Sequence, residues 1–385
     1  MNILIIGTNS INKGAELMLY AVLQQIEQRM PNATVYFPYV GIPQGLEYIK
    51  TKLRFQYLPG ILLNKWYHKL HIEGICRRLH LPYPWFSDLY PQKKIDVIID
   101  AGGFQFSDQF WTDTYLVNKW LYFIEKAKKN GSKLIFLPQA YGPFKKGEWN
   151  SVVKSIANNA DLMFVREEVS SSYLMEIGIP NKPSIHIAPD FTSLVKSTPD
   201  LKFNYVKNQV AIIPNIQMIN NKICTFEEYI NYLTDIINII EKKGQKVFLL
   251  NHEGIRDYNL CKRIVATLGK DIEIVSNLSA LQIKSIISQS YLVISSRFHG
   301  VASALSSSVP CLATSWSHKY ELLFSEYGQT NSILSMNAQT DKHIIETFLD
   351  FKNNEAIRHK LQTHKSIIDK KTNVMWSLVW ACINS

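Results

Sequence analysis

Short apolar runs of strand length alternate with longer amphipathic stretches along almost the whole chain. The strand-like runs of the first half are Ile3–Ile6, Val35–Phe37, Asp96–Asp100, Lys133–Leu137, Leu162–Val165 and Ser184–Ala188. Those of the second half are Val210–Ile213, Lys246–Leu250, Ile272–Val275, Leu292–Ser295 and Cys311–Thr314. Helical periodicity shows between them in Leu17–Arg29, Trp120–Lys129, Tyr229–Lys243 and Asp257–Leu268. Strands buried on both faces and alternating with helices predict parallel sheets of the doubly wound kind. The predicted fold class is therefore α/β, with two Rossmann-like doubly wound parallel-sheet domains facing across a cleft.

The alternation pauses at Leu194–Asn208, where Ser, Thr, Pro, Asp, Lys and Asn cluster. This sets an N-terminal domain at 1–195 and a C-terminal domain at 209–335. A helical tail is expected over 336–385. At 385 residues the chain is long enough for two such domains, and its 46% hydrophobic content fills their cores without disulfide or metal. Five cysteines without a CxxC pair read as reduced thiols. The run Asn2–Gly7 reads as a buried strand rather than a signal peptide, and no run of about 18 apolar residues occurs. A cytoplasmic protein is expected.

A net charge of +10 points to an anionic partner: nucleic acid, an anionic membrane face or an anionic substrate. No zinc-finger, RNP-type or helix-turn-helix pattern accompanies it, so nucleic acid is not expected. One segment, about 45–92, breaks the rhythm. It interleaves Lys65, Lys69, Arg77 and Arg78 with Trp66, Tyr67, Trp85 and Phe86. That composition suits the headgroup region of an anionic bilayer, or a helical insertion that packs on the first domain.

The candidate chemistry sits where strands end. Ser295-Ser296-Arg297-Phe298-His299-Gly300 follows an apolar strand and opens a helix. A helix N-terminus favours negative charge, a guanidinium grips a carboxylate or phosphate, and an imidazole can carry a proton. Arg166-Glu167, with Ser170, repeats the pattern of an arginine at a helix start. Lys319 is a further anion-holding candidate. Asp100-Ala101-Gly102-Gly103-Phe104-Gln105 and Gln139 with Gly142-Pro143 also end strands, and suit a cleft lining or close packing equally. The loop from Gly7 through Asn12, Gly14 and Glu16 matches neither a dinucleotide fingerprint nor a P-loop. His252, Glu253 and Asp257 invite a metal, but no further ligands stand at familiar spacing. They read as polar cleft wall, and no metal is expected.

In order and spacing, these elements resemble the polysaccharide pyruvyltransferase family from the first strand to about Tyr327. Ala188-Pro189-Asp190 and the Trp316–Tyr320 block complete the set. The resemblance implies a GT-B-like arrangement. It also implies transfer of the enolpyruvyl unit of phosphoenolpyruvate onto two sugar hydroxyls, giving a pyruvate ketal in capsule or exopolysaccharide biosynthesis. No cofactor is implied; phosphoenolpyruvate is the donor substrate. A lipid-linked oligosaccharide is the expected acceptor, with peripheral contact at the inner membrane face. By the resemblance, Arg166, Arg297 and His299 fall on donor positions, joined in our reading by Ser296, Gly300 and Lys319. His299 is expected in proton transfer, as general acid or in assisting phosphate departure, and Asp100 as base toward a hydroxyl. The acceptor is assigned to Asn12, Gly14, Glu16, Gly102, Gly103, Gln105 and Gln139, which makes the first domain the acceptor side and the second the donor side. The alternatives are a metal-independent glycosyltransferase using a nucleotide sugar, and a non-catalytic polysaccharide- or membrane-binding relative.

Overall fold

A computed structural model describes residues 1–9, 12–37, 54–57, 94–109, 112, 114–197, 199–315 and 319–385. The chain forms two compact units. The first comprises Met1–Ser10, Met18–Phe191 and Lys371–Ser385; the second comprises Ile11–Leu17 and Thr192–Lys370. The division thus falls after Phe191, and the tail expected over 336–385 does not stand apart. Its last helix places Leu361 and Ile368 in a core of the second unit, and Trp376 edge-on to Phe191 in the first. Among the described residues, no helix is long and apolar enough to cross a membrane.

The first unit carries β1 (Asn2–Ile6), β2 (Thr34–Phe37), β3 (Arg54–Tyr57), β4 (Val97–Asp100), β5 (Phe104–Phe106), β6 (Lys133–Tyr141), β7 (Leu162–Val165) and β8 (Ile185–Ile187). Its sheet runs β3-β2-β1-β4-β6-β7-β8, with β5 on β6, and every pairing is parallel. The helices are α1 (Lys13–Arg29), whose first turn belongs to the second unit, α2 (Thr114–Lys129), α3 (Asn150–Asn159) and α4 (Glu168–Glu176). On one face Leu4, Ile6, Ile98, Phe136 and Met163 pack against Phe123 and Ile124 of α2 and Val153 and Ile156 of α3. Ile3, Ile5, Val97, Ile99 and Ile135, alternating with them, are buried too. Both faces being covered is why these strands read as unbroken apolar runs.

The second unit repeats the plan with β9 (Val210–Ile213), β10 (Val247–Leu250), β11 (Ile274–Val275), β12 (Leu292–Ser295), β13 (Cys311–Thr314) and β14 (Ile333–Leu334), in the order β11-β10-β9-β12-β13-β14. All pairings are again parallel. Its helices are α5 (Gln217–Asn220), α6 (Phe226–Lys242), α7 (Gly254–Leu268), α8 (Ala280–Ser288), α9 (Phe298–Ser306), α10 (Lys319–Glu326), α11 (Ala338–Leu349) and α12 (Phe351–Asn384). Ala211, Ile213, Phe248 and Val293 face Val301, Leu305 and Phe324; Val210, Ile212, Leu249 and Leu292 face Ile236, Leu260 and Phe348.

In both sheets the strand order reverses once, between β1 and β4 and between β9 and β12. Ligands of open α/β sheets bind beyond the strand carboxyl ends at such points. Helix starts differ in a related way. Helices α6 and α8 begin with complete capping boxes, Thr225 with Glu228 and Ser279 with Gln282, each cap being worth about 1 kcal/mol. Helices α4, α7 and α9, which follow the ends of β7, β10 and β12, have no side-chain cap. Their first-turn amides have no intrahelical partner.

Candidate active site

At the β1/β4 switch point of the first unit lies a buried carboxylate. Asp100 ends β4, opposite Ile6 of β1. Its Oδ1 accepts from the Gly102 amide (2.8 Å) and from Gln105 Nε2 (2.8 Å), and its Oδ2 accepts from Gln105 Nε2 (2.7 Å). Gly7 has a φ of +77°, and a Cβ there would stand 2.6 Å from both Asp100 Oδ1 and the Gly102 nitrogen. Only glycine allows β1 to turn so close to the carboxylate. Burial lifts the Asp100 carboxyl to about 6, against the lowering effect of these hydrogen bonds.

The neighbouring strand ends extend this cluster. Arg166, after β7, donates its backbone amide to Gln139 O (3.1 Å), and its guanidinium is ion-paired with buried Asp190. Ser170 Oγ accepts from the Tyr141 amide (2.8 Å) and bonds the Glu167 carboxylate. Burial, then the charge of Asp100, pushes the Tyr141 phenol well above its usual range. Gln139 is 0% exposed, and its side chain lies against the Tyr141 phenol, opposing the upward push of burial and Asp100. Of the glycines read as acceptor-binding, a Cβ on Gly102 would meet Gln105 Nε2 at 2.6 Å, and one on Gly103 would meet Met18 Cε at 2.6 Å. Gly103 therefore also answers a packing demand.

The second unit's switch point holds Arg297 and His299. The Ser295 hydroxyl accepts from the Arg297 amide and donates to its carbonyl, both at 3.0 Å, which fixes the turn from β12 into α9. Behind it, the Ser296 hydroxyl lies between those of Tyr229 and Thr314. Asn215 Nδ2 and the Tyr320 hydroxyl both donate to Ser296 O at 2.8 Å. Ser296 is thus a buried support for the Arg297 turn. Gly300 has a similar duty: a Cβ there would meet Ser295 Oγ at 2.5 Å. Lys319 opens α10, half-buried, next to Tyr320.

Sequence reasoning missed the principal partners of Arg297. Its Nε donates to Asp257 Oδ2 at 2.8 Å, its Nη2 to the same oxygen, and its Nη1 to Glu253. The i, i+4 spacing of Glu253 and Asp257 is the signal that could have found them, since it stacks both carboxylates at the start of α7. Burial raises both carboxyls, outweighing the opposing charge of Arg297. Buried His252 is held well below its usual value by burial, then by Arg297, His299 and Lys13.

The start of α1 joins this second cluster rather than that of Asp100. Asn12 Oδ1 caps α1 by accepting from Gly14 and Ala15 (2.9 and 3.0 Å), and its Nδ2 lies 3.3 Å from both oxygens of Glu253. Glu16, buried, pairs with Lys13 (2.6 Å) and accepts from the Ala280 amide (3.1 Å). A Cβ on Gly14 would stand 2.1 Å from His299 Nδ1, so the imidazole rests on the bare α-carbon. Of residues 12, 14 and 16, allotted with the rest of 1–195 to the acceptor side, the structure places Gly14 against His299 and Asn12 beside Glu253, the partner of Arg297, while Glu16 holds Lys13 and the start of α8. Segment 45–92, apart from the backbone of β3, and Trp316, Ser317 and His318 lie outside the described residues.

The switch point of one unit thus holds Asp100 with Gln105, with Gln139 on β6 and Arg166 after β7 at the neighbouring strand ends, and that of the other gathers Arg297, His299, Lys13 and two carboxylates. A curated relative, the amylovoran biosynthesis protein AmsJ of Erwinia amylovora, is 21% identical over 390 residues, which cover 90% of each chain. Similar solved structures include Anabaena Alr3699/HepE in complex with UDP and glucose, with a TM-score of 0.64 and 12% identity over 99% of this chain and 100% of that one. The UDP-GlcNAc 2-epimerase of Neisseria meningitidis gives a TM-score of 0.62 and 11% identity over 98% of this chain and 100% of that one. These likenesses establish the fold, that of the GT-B UDP-sugar enzymes. The model of the family described as polysaccharide pyruvyl transferase matches residues 12–318, and the chain belongs to that family.

Proposed function

We propose that this protein transfers the enolpyruvyl unit of phosphoenolpyruvate to two hydroxyls of a sugar in a lipid-linked oligosaccharide. The product is a pyruvate ketal on a capsule or exopolysaccharide precursor. The observation that carries the reading is Arg297-Phe298-His299 at the end of β12, opening an uncapped helix in a chain of this family. Phosphoenolpyruvate brings a carboxylate and a phosphate, and Arg297 with the first-turn amides of α9 suits one of them. Arg166 is the second donor-binding arginine in this reading, with Ser296, Gly300 and Lys319 supporting or flanking the Arg297 turn.

The reaction balances without a cofactor. A proton is added at C3 of the donor, which creates a cationic centre at C2. The first sugar hydroxyl attacks C2 and loses its proton; the C2–O bond to phosphate breaks, and the second hydroxyl closes the ketal and loses its proton. Two protons leave the hydroxyls, one goes to C3 and one leaves with phosphate. His299 handles the proton at C3 or at the departing phosphate, and Asp100, lifted toward neutrality, takes one from the acceptor. Gln105, Gly102 and Gly103 set the acceptor around Asp100.

The test is release of phosphate that requires both phosphoenolpyruvate and a sugar acceptor, with the ketal identified by NMR of the product. Arg297→Ala and His299→Ala are each expected to nearly abolish it. Turnover like that of wild type in either variant overturns the assignment.

A further inference from the structure

The two carboxylates on Arg297 are unlike. Asp257 has a 0% exposed side chain and accepts from the Ile216 amide (3.0 Å) as well as from Nε and Nη2 of Arg297. It is a fixed anchor. Glu253 has a side chain 22% exposed. Besides Arg297 Nη1, its hydrogen-bond partner among the described residues is Asn12 Nδ2, at 3.3 Å from each oxygen, a distance too long for a strong hydrogen bond. Although Glu253 is the N-cap residue of α7, its carboxylate caps no amide. The more exposed and more loosely held carboxylate is therefore the one on the outer nitrogen of the guanidinium.

Resting on the reading of Arg297 as an anion receiver, we propose that Glu253 is a built-in stand-in for the donor's anion. On binding, the ligand displaces its carboxylate from Nη1, and Glu253 takes up one proton from solvent. The reason is charge. Arg297 already faces two carboxylates, and a third anion on the same guanidinium would be repelled by both. The groups facing Glu253 are Arg297 from the start of α9, Asp257 from its own helix, and Asn12 and Lys13 from the start of α1. Burial and Asp257 already favour its neutral form, against Arg297, Asn12 and Lys13. Once Arg297 turns to the ligand, its hold on the Glu253 charge goes, and protonation relieves the repulsion. Glu253 thereby keeps the guanidinium oriented while no donor is bound and makes donor affinity fall as pH rises. The limit is about tenfold per pH unit for one coupled proton.

The experiment is calorimetric titration of phosphoenolpyruvate into the whole protein at about pH 7.5, where its phosphate is largely ionised. Repeating it in buffers of different ionisation enthalpy counts the protons exchanged. Wild type is expected to take up between about 0.5 and 1 proton per ligand bound, and Glu253→Gln to bind with that uptake lost. Glu253→Ala serves as the second variant should the glutamine protein fail to fold. His252 also sits beside Arg297, so His252→Asn is run in parallel. No uptake in wild type, uptake unchanged in Glu253→Gln, or uptake lost only in His252→Asn overturns the proposal. Inorganic phosphate is the second probe. If phosphate alone binds, with the same uptake, the donor reading falls and the Glu253 exchange stands; if neither binds, both fall.

Discussion

A single methyl group on Gly14 should separate the chemistry of this protein from its stability. Gly14 sits in the first turn of α1, whose start is capped by Asn12. Alanine is the better helix former by up to about 1 kcal/mol, so the helix itself gains from Gly14→Ala. The new Cβ, however, would stand 2.1 Å from Nδ1 of His299 and 2.7 Å from its Cγ and Cε1. To regain ordinary van der Waals separation the imidazole must withdraw by about 1.3 Å or more. A misplacement of about 1 Å at a reacting group costs on the order of 100-fold in rate. We therefore expect kcat/KM for phosphoenolpyruvate-dependent phosphate release to fall about 100-fold, near 2.7 kcal/mol of transition-state stabilisation. Urea unfolding should show a stability change within about 1 kcal/mol. In the Gly14→Ala, His299→Ala double variant the two losses should not add, because both act through one ring. Full turnover in Gly14→Ala, or a loss that tracks unfolding alone, would refute the reasoning.

Other outcomes are equally specific. Because the Asp100 carboxyl is raised to about 6, the folded state binds a proton that the unfolded state lacks between about pH 4 and 6. Stability should accordingly rise by about 3 kcal/mol as pH falls through that window, relative to Asp100→Asn; parallel pH profiles in urea melts would contradict it. Tyr229→Phe removes a buried hydroxyl that accepts from the Asn215 amide (3.1 Å) and bonds Ser296. It should cost about 1–3 kcal/mol, and a variant as stable as wild type in denaturant would count against that network. From composition alone, the 45–92 segment should bind vesicles of anionic lipid. Neutralising Lys65, Lys69, Arg77 and Arg78 should release the protein in a sedimentation assay, and undiminished binding would exclude this segment as the anchor.

Much of the fold was legible because its strands are buried on both faces. Val210–Ile213 is apolar at all four positions and Leu292–Ser295 at its first three, and every residue of both is buried, as in a parallel strand covered on both faces. The short β5 and β14 escaped notice, having only three and two residues. The site residues at strand ends were legible by type: Asp100, Arg166, Arg297 and His299 stand out as charged or titratable groups where apolar runs stop. Their partners were not, because ion pairs such as Arg166 with Asp190 and Arg297 with Asp257 join residues far apart in sequence. The allegiance of Asn12, Gly14 and Glu16 was hidden for the same reason: the contacts of these residues with Glu253, His299 and Ala280 span more than 200 positions.

The most direct test is the thermal midpoint of the purified protein with phosphoenolpyruvate, with nucleotide sugars and with neither, in wild type and in Arg297→Ala. A ligand of the folded state must raise the midpoint by mass action. A rise with phosphoenolpyruvate that disappears in Arg297→Ala is the expected result. A rise with a nucleotide sugar and none with phosphoenolpyruvate would contradict the account and point to glycosyl transfer.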